Sequence, residues 1–132
     1  MGAWGYKVFE NDDAGDWVYK LEESDDYSAI ESALSPDGQD YLEAPEGCMI
    51  LAASEVLLGL RGIQRGYFPD EVKNWIDNHR EGDFDGLMPA AIRMVERVLA
   101  PQSELRDLIK ENEELYPLWK ADTEDLLTKL KG

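Results

Sequence analysis

Reactive side chains are scarce in this chain. One cysteine, Cys48, and one histidine, His79, stand among 132 residues. A lone cysteine allows no internal disulfide and suits a reducing compartment, so the expected location is the cytoplasm. A structural zinc site needs four ligands, mostly Cys or His, and the sequence cannot supply them. Bases are few as well: 13 Lys and Arg face 29 Asp and Glu, a net charge of −16. A field of that sign repels nucleic acid and anionic membranes, and no basic stripe interrupts it. No apolar run reaches the length needed to span a bilayer. The N-terminus lacks the basic-then-apolar pattern of a secretory signal. Met1-Gly2 opens like a myristoylation site, but Tyr6 stands where that pattern needs Ser or Thr. There is no Gly-x-Ser-x-Gly elbow and no phosphate-binding Gly-Lys-Ser/Thr loop. No stretch alternates polar and apolar residues over five or more positions, which leaves no candidate strand.

What is present is helical patterning around one greasy segment. From Cys48 to Leu60 the only polar side chains are Ser54 and Glu55. A helix without a polar face must be buried on most sides. Residues 45–61 are therefore expected to form a central helix, opened by Pro45 and ended by Gly59 and Gly62. Ala52, Ala53 and Gly59 are small enough to let neighbours come close. Asn11 or Asp12 is suited to cap a first helix over 12–23, with Ala14, Trp17, Val18 and Leu21 on one stripe. Further helices are expected over 26–35, 69–79, 87–100, 104–115 and 117–130. Ser35-Pro36-Asp37-Gly38 is a turn by composition. Trp4 and Phe9 are expected to plug into the core from an irregular N-terminal segment, with Gly2 and Gly5 turning the backbone. The fold class is all-α: one domain over 1–132, a compact bundle of about seven helices around the central one.

Several segments carry a resemblance. Met1-Gly-Ala-Trp-Gly5, then Phe9-Glu-Asn-Asp-Asp-Ala14 with Asp16-Trp17, resembles the opening of the DUF4259 family of small bacterial proteins. Tyr41-Leu-Glu-Ala-Pro45, Ala52-Ala-Ser-Glu-Val56 and Ser103-Glu-Leu-Arg106 are similar to its later segments. Tyr6-Lys7-Val8 departs from the smaller residues usual at that point. The resemblance covers most of the chain and implies no activity, substrate or cofactor.

The residues with chemical potential are few. Glu81, Asp83, Asp85 and Gly86 match the first half of a calcium loop, but its twelfth position is Ile92 rather than Glu, so no metal site is expected. Cys48 lies in the most apolar segment and reads as an inert thiol. His79 falls on an apolar face near a helix end, where it can meet the negative end of the dipole as a structural residue. Glu55 sits mid-way along the most apolar helix. A carboxylate there must find a partner, stay protonated or reach a cleft; an Arg, a Tyr or Trp4 could serve. The candidate binding residues are thus Trp4, Glu10, Asn11, Asp12, Asp13, Asp16 and Glu55, with no catalytic, cofactor or metal residue assigned.

Charge is also uneven. The first 46 residues hold 13 acids and 2 bases, so the segment carries −11 of the total −16. These features point to a non-enzymatic interaction module for a basic protein, of the immunity or toxin-inhibitor type. The alternative is a small-ligand binder or enzyme that uses Glu55 with the N-terminal acids. A pocket joining Glu55 to Trp4, Glu10 or Asp13 discriminates between them.

Overall fold

The computed structural model describes residues 6–35 and 41–132. The described residues form seven α-helices and one 3-10 turn, with no strand among them. In order they are α1 (Asp12–Glu22), α2 (Ser28–Ala33), α3 (Ala44–Leu60), α4 (Asp70–Asp77), a 3-10 turn (Asp85–Leu87), α5 (Met88–Leu99), α6 (Glu104–Lys110) and α7 (Leu115–Lys131). The fold is the expected all-α bundle. Trp4, Gly2 and Gly5, and all of the expected turn at 35–38 except Ser35, lie outside the described residues.

The central helix, α3, is in contact with each of the other six. From Ile50 to Leu60 every residue is buried, and Ile50, Ala52, Ala53, Val56, Leu57 and Leu58 are wholly inaccessible. Each large apolar side chain removed from water in this way stabilises the fold by about 1.5–3 kcal/mol. The small residues do let neighbours in. At Gly59 what comes close is side chain rather than backbone: a Cβ there would lie 2.5 Å from Ile76 Cδ1 and 2.9 Å from Phe68 Cε2. Gly62, at φ +89°, then turns the chain out of the helix in a conformation that favours glycine.

The ends of α3 are satisfied from both sides. Glu43 and Glu46 cap its start reciprocally, with Glu43 N–H donating to Glu46 Oε1 at 3.0 Å. Ala44 N–H donates to Glu104 Oε1 at 2.8 Å, and Leu42 pairs with Ser103 in an isolated parallel bridge, so the starts of α3 and α6 are tied together. At the far end Arg80 Nη1 donates to the Gly59 carbonyl at 3.1 Å, placing a cation at the negative end of the dipole. Two buried indoles fix the α1–α2 connection: Trp17 Nε1 donates to Ala29 O and Trp75 Nε1 to Ser24 O.

Several element boundaries shift from expectation by one or two residues and one by five, and two of these shifts have identifiable reasons. The second helix starts at Ser28 rather than near residue 26 because Asp26 Oδ1 accepts from Ser28 N–H, closing a side-chain turn ahead of it. The sixth ends at Lys110 rather than near residue 115 because Asn112 Oδ1 accepts from both Glu114 N–H and Leu115 N–H. That cap starts α7 at Leu115, with Pro117 tolerated in its first turn. No helix among the described residues is long and apolar enough to cross a membrane.

Two glycines separate local propensity from packing. A Cβ at Gly15, in α1, meets nothing within 4 Å. Gly15→Ala should therefore raise unfolding stability by roughly 0.5–1 kcal/mol through helix propensity alone. Gly59→Ala should lower it by about 1–3 kcal/mol despite the same gain, because Ile76 and Phe68 must move. Urea midpoints of the two variants against the parent check both signs.

Candidate functional site

Glu55 is the one ionised residue type on the buried length of α3, and its side chain is only 7% exposed. Its partner comes from the loop after α3. Gly62 reverses the chain there, and Arg65 reaches back with its side chain only 6% exposed to place Nη2 against Glu55 Oε1. Two acids one turn apart on α7 complete the cluster. Arg65 Nη1 donates to Asp122 O at 3.0 Å, Asp122 Oδ1 at 3.2 Å and Asp125 Oδ2 at 3.1 Å. Lys129 Nζ meets Asp125 at 3.1 Å, and Lys7 Nζ stands 3.9 Å from Asp122. Arg65 is thus a clamp between the core helix, its own loop and the C-terminal helix. The planar guanidinium suits this, since its five donors hold a fixed fork.

Charges in this cluster pull against one another. Burial pushes the Glu55 carboxyl above its ordinary range, and the Arg65 guanidinium pulls it back only in part. The reason is competition: Asp122 and Asp125 share the same guanidinium. Burial alone would make Arg65 easier to deprotonate, but its hydrogen bonds and the charges of Glu55 and Asp122 more than offset that and hold it firmly protonated. Among the described residues, Glu55 Oε2, Arg65 Nε and Ser54 Oγ are buried without a hydrogen-bond partner.

The cluster forms the base of a cleft of about 240 Å³. Glu55, Arg65 and Asp122 line it together with Lys7, Val8, Phe9 and Glu10 from the N-terminal segment and Gly66, Tyr67 and Phe68 from the loop. Phe9 and Phe68 meet edge to face at 5.8 Å. Glu10 is held beside it by Lys7 N–H, which donates to Glu10 Oε1 at 3.2 Å.

The residues singled out from the sequence do not converge on one place. Glu55 and Glu10 share the cleft. Asn11 is the N-cap of α1: its Oδ1 accepts from Ala14 N–H at 2.8 Å and its Nδ2 donates to Val8 O. Asn11 and Asp13 border a separate apolar groove floored by Cys48, Leu51 and Trp119. Asp12 and Asp16 are exposed on α1, and Trp4 lies outside the described residues. Cys48 is pushed up to about 12 by burial and, secondarily, by the charge of Asp13, so its thiol stays protonated near neutrality. His79 stacks on Trp75 at 3.9 Å, with Nδ1 2.6 Å from Trp75 O and Nε2 3.2 Å from Asp25 O, as a structural residue would. No three His, Cys, Asp or Glu side chains among the described residues are grouped to hold a metal ion. Sequence reasoning missed Arg65, Asp122 and Asp125. The last two share a helix face by their spacing, but nothing local links them to Glu55.

The arrangement predicts a pH-dependent cost. Glu55 keeps its proton to higher pH when folded than the ordinary value of 4.5. In the window above 4.5 the unfolded chain binds fewer protons than the folded one, so this group's contribution makes stability fall as pH rises. Asp125, held below its ordinary value chiefly by Lys129, acts oppositely: its contribution is lost as pH falls. Arg65→Met should cost about 3–5 kcal/mol near neutrality, since it leaves a buried carboxylate unpaired. That deficit should shrink toward pH 5, where Glu55 can take up a proton. Glu55→Gln should cost less, because Arg65 keeps both aspartates, and its stability relative to the parent should improve as pH rises. Urea unfolding of the three proteins at several pH values measures all of this.

Comparison with known proteins gives one match. The family model described as "Domain of unknown function (DUF4259)" matches residues 2–122. No curated protein and no solved structure matches the chain. With all but the first residue and the last ten residues of the chain inside that match, the protein belongs to the DUF4259 family.

Proposed function

We propose that this protein is a non-enzymatic interaction module that engages a basic protein through the acidic face carried by α1, α2 and the turn between them. One observation carries the reading. Over residues 12–31, Asp12, Asp13, Asp16, Glu22, Glu23, Asp25, Asp26 and Glu31 are all exposed, with Lys20 the only base among them. Few of these acids are used internally. Asp26 serves the turn before α2, and Asp12 and Asp13 favour the positive end of α1. The rest, without an ion pair among the described residues, face solvent from a scaffold fixed by two buried indoles. Complementary charge of this density speeds encounter and rejects acidic partners. An immunity protein or toxin inhibitor that caps a basic enzyme fits that description, in the cytoplasm where such a partner would be made.

The alternative reading, a small-ligand binder or enzyme built on Glu55, draws support from the cleft that joins Glu55 to Glu10. Turnover is disfavoured there. Arg65 clamps Glu55 through Oε1 and Glu10 Oε1 accepts from Lys7 N–H, which ties one oxygen of each carboxylate in place.

Affinity capture at two salt concentrations tests the interaction reading. A basic protein should be retained at about 50 mM salt and released at about 0.5 M, where screening shortens the reach of surface charge. The Asp16→Lys/Glu23→Lys variant should retain far less, while reversal of the exposed acids Glu113 and Glu124 should leave retention unchanged. No retention at low salt, or retention indifferent to salt and to the α1 reversal, contradicts it.

A further inference from the structure

We propose that His79 is a pH-sensitive clasp: its charged imidazole ties the turn between α1 and α2 to the end of α4, and loss of the ring proton loosens that turn. The clasp is independent of the interaction proposed for the acidic face, so either can fail without the other.

The two ring nitrogens define the charge state that fits. Nδ1 lies 2.6 Å from Trp75 O and Nε2 lies 3.2 Å from Asp25 O. Both partners are backbone carbonyls, which accept and cannot donate. An imidazolium donates from both nitrogens, whereas a neutral ring has one N–H and one lone pair. The charged ring alone satisfies both contacts. Three features of the surroundings favour the same form. The ring stacks on the Trp75 indole at 3.9 Å, where a cation meets the negative face of the aromatic system. It follows the Asn78 C-cap of α4, at the negative end of the helix dipole. The charged groups on the segments packed round it are mostly acids: Asp25 and Asp26 on the turn, and Asp77 and Glu81 beside it in the chain. Arg80 is occupied by Asp77 and the Gly59 carbonyl, and Tyr27, with its ring 6.4 Å away, donates its hydroxyl to His79 O.

Loss of the proton opens one contact rather than both. The Trp75 carbonyl is the nearer and lies one turn back on the same helix, so the neutral ring keeps its proton on Nδ1. Nε2 is then left with a lone pair against Asp25 O, and two acceptors face each other without a hydrogen between them. The turn keeps the bonds from Trp75 Nε1 to Ser24 O and from Tyr27 to His79 O, and loses the one at Asp25. The clasp therefore contributes stability while the ring is charged, and that contribution is lost as pH rises through the imidazole range, about pH 5–8.

His79 is the only histidine of the chain, so nitrogen NMR spectra of the imidazole in the untagged protein report on it directly. Both ring nitrogens should carry protons at about pH 5, and at about pH 8 the proton should sit on Nδ1 with Nε2 bare. An imidazole free in water favours the opposite neutral form, with the proton on Nε2. Urea unfolding of the parent and of His79→Gln supplies the energetic half. The unfolding constant of the variant divided by that of the parent should fall at least about fivefold between pH 5 and pH 8. Groups common to both proteins, Glu55 included, cancel in that ratio. The fall should persist at about 0.5 M salt, because paired hydrogen bonds are screened less than the general attraction of an acidic surface for a cation. The spectra remain decisive if the variant fails to fold. A neutral ring protonated on Nε2, a ratio equal at the two pH values, or a change that vanishes at high salt would each overturn the proposal.

Discussion

A seventeen-residue helix with no polar face has to be surrounded, and the rest of the structure follows from that requirement. One neighbour covers one stripe of a helix. Covering α3 all round takes six, and each of the other helices contributes a face to it. Several of the shorter helices are only two turns long, too short to persist in water alone, so their helicity is a consequence of docking on α3.

The single carboxylate on the buried part of that axis explains a second layer of organisation. Glu55 cannot be left unpaired, and Arg65 is delivered to it by the loop that leaves α3. In neutralising Glu55, Arg65 also binds the α7 backbone and two of its carboxylates, which joins the C-terminal helix to the core by charge as well as by Trp119, Leu126 and Leu130. A buried pair of this kind contributes little net stability compared with apolar residues of the same volume. What it does supply is a polar, incompletely satisfied floor beneath an aromatic-walled cleft. The acidic outer face of α1 and α2 is a different feature, set by surface composition alone.

Much of the fold was legible because the strongest signal was also the simplest. The absence of polar residues between Cys48 and Leu60 identified the axis, and the apolar spacing of Ala14, Trp17, Val18 and Leu21 identified α1 and its buried face, as observed. Boundaries were less legible where side chains compete with the backbone for hydrogen bonds. Asp26 and Asn112 each moved a helix end by forming a local turn that periodicity does not encode. The site was legible only by half. Glu55 stood out because its surroundings are apolar in sequence. Arg65 looked like one loop cation among several, and Asp122 and Asp125 looked like surface acids on an amphipathic helix, since their meeting depends on how Gly62 turns the loop and where α7 docks.

The central claim is that α3 is the last element to be exposed, because its opening requires every other helix to leave. Native-state hydrogen exchange of backbone amides measures this residue by residue. The account predicts that amides of Leu51–Leu58 exchange only through global unfolding, with protection equal to the full unfolding free energy and higher than in α2, α4 or α6. Exchange of those α3 amides through a local opening, while α5 or α7 stays protected, would contradict it.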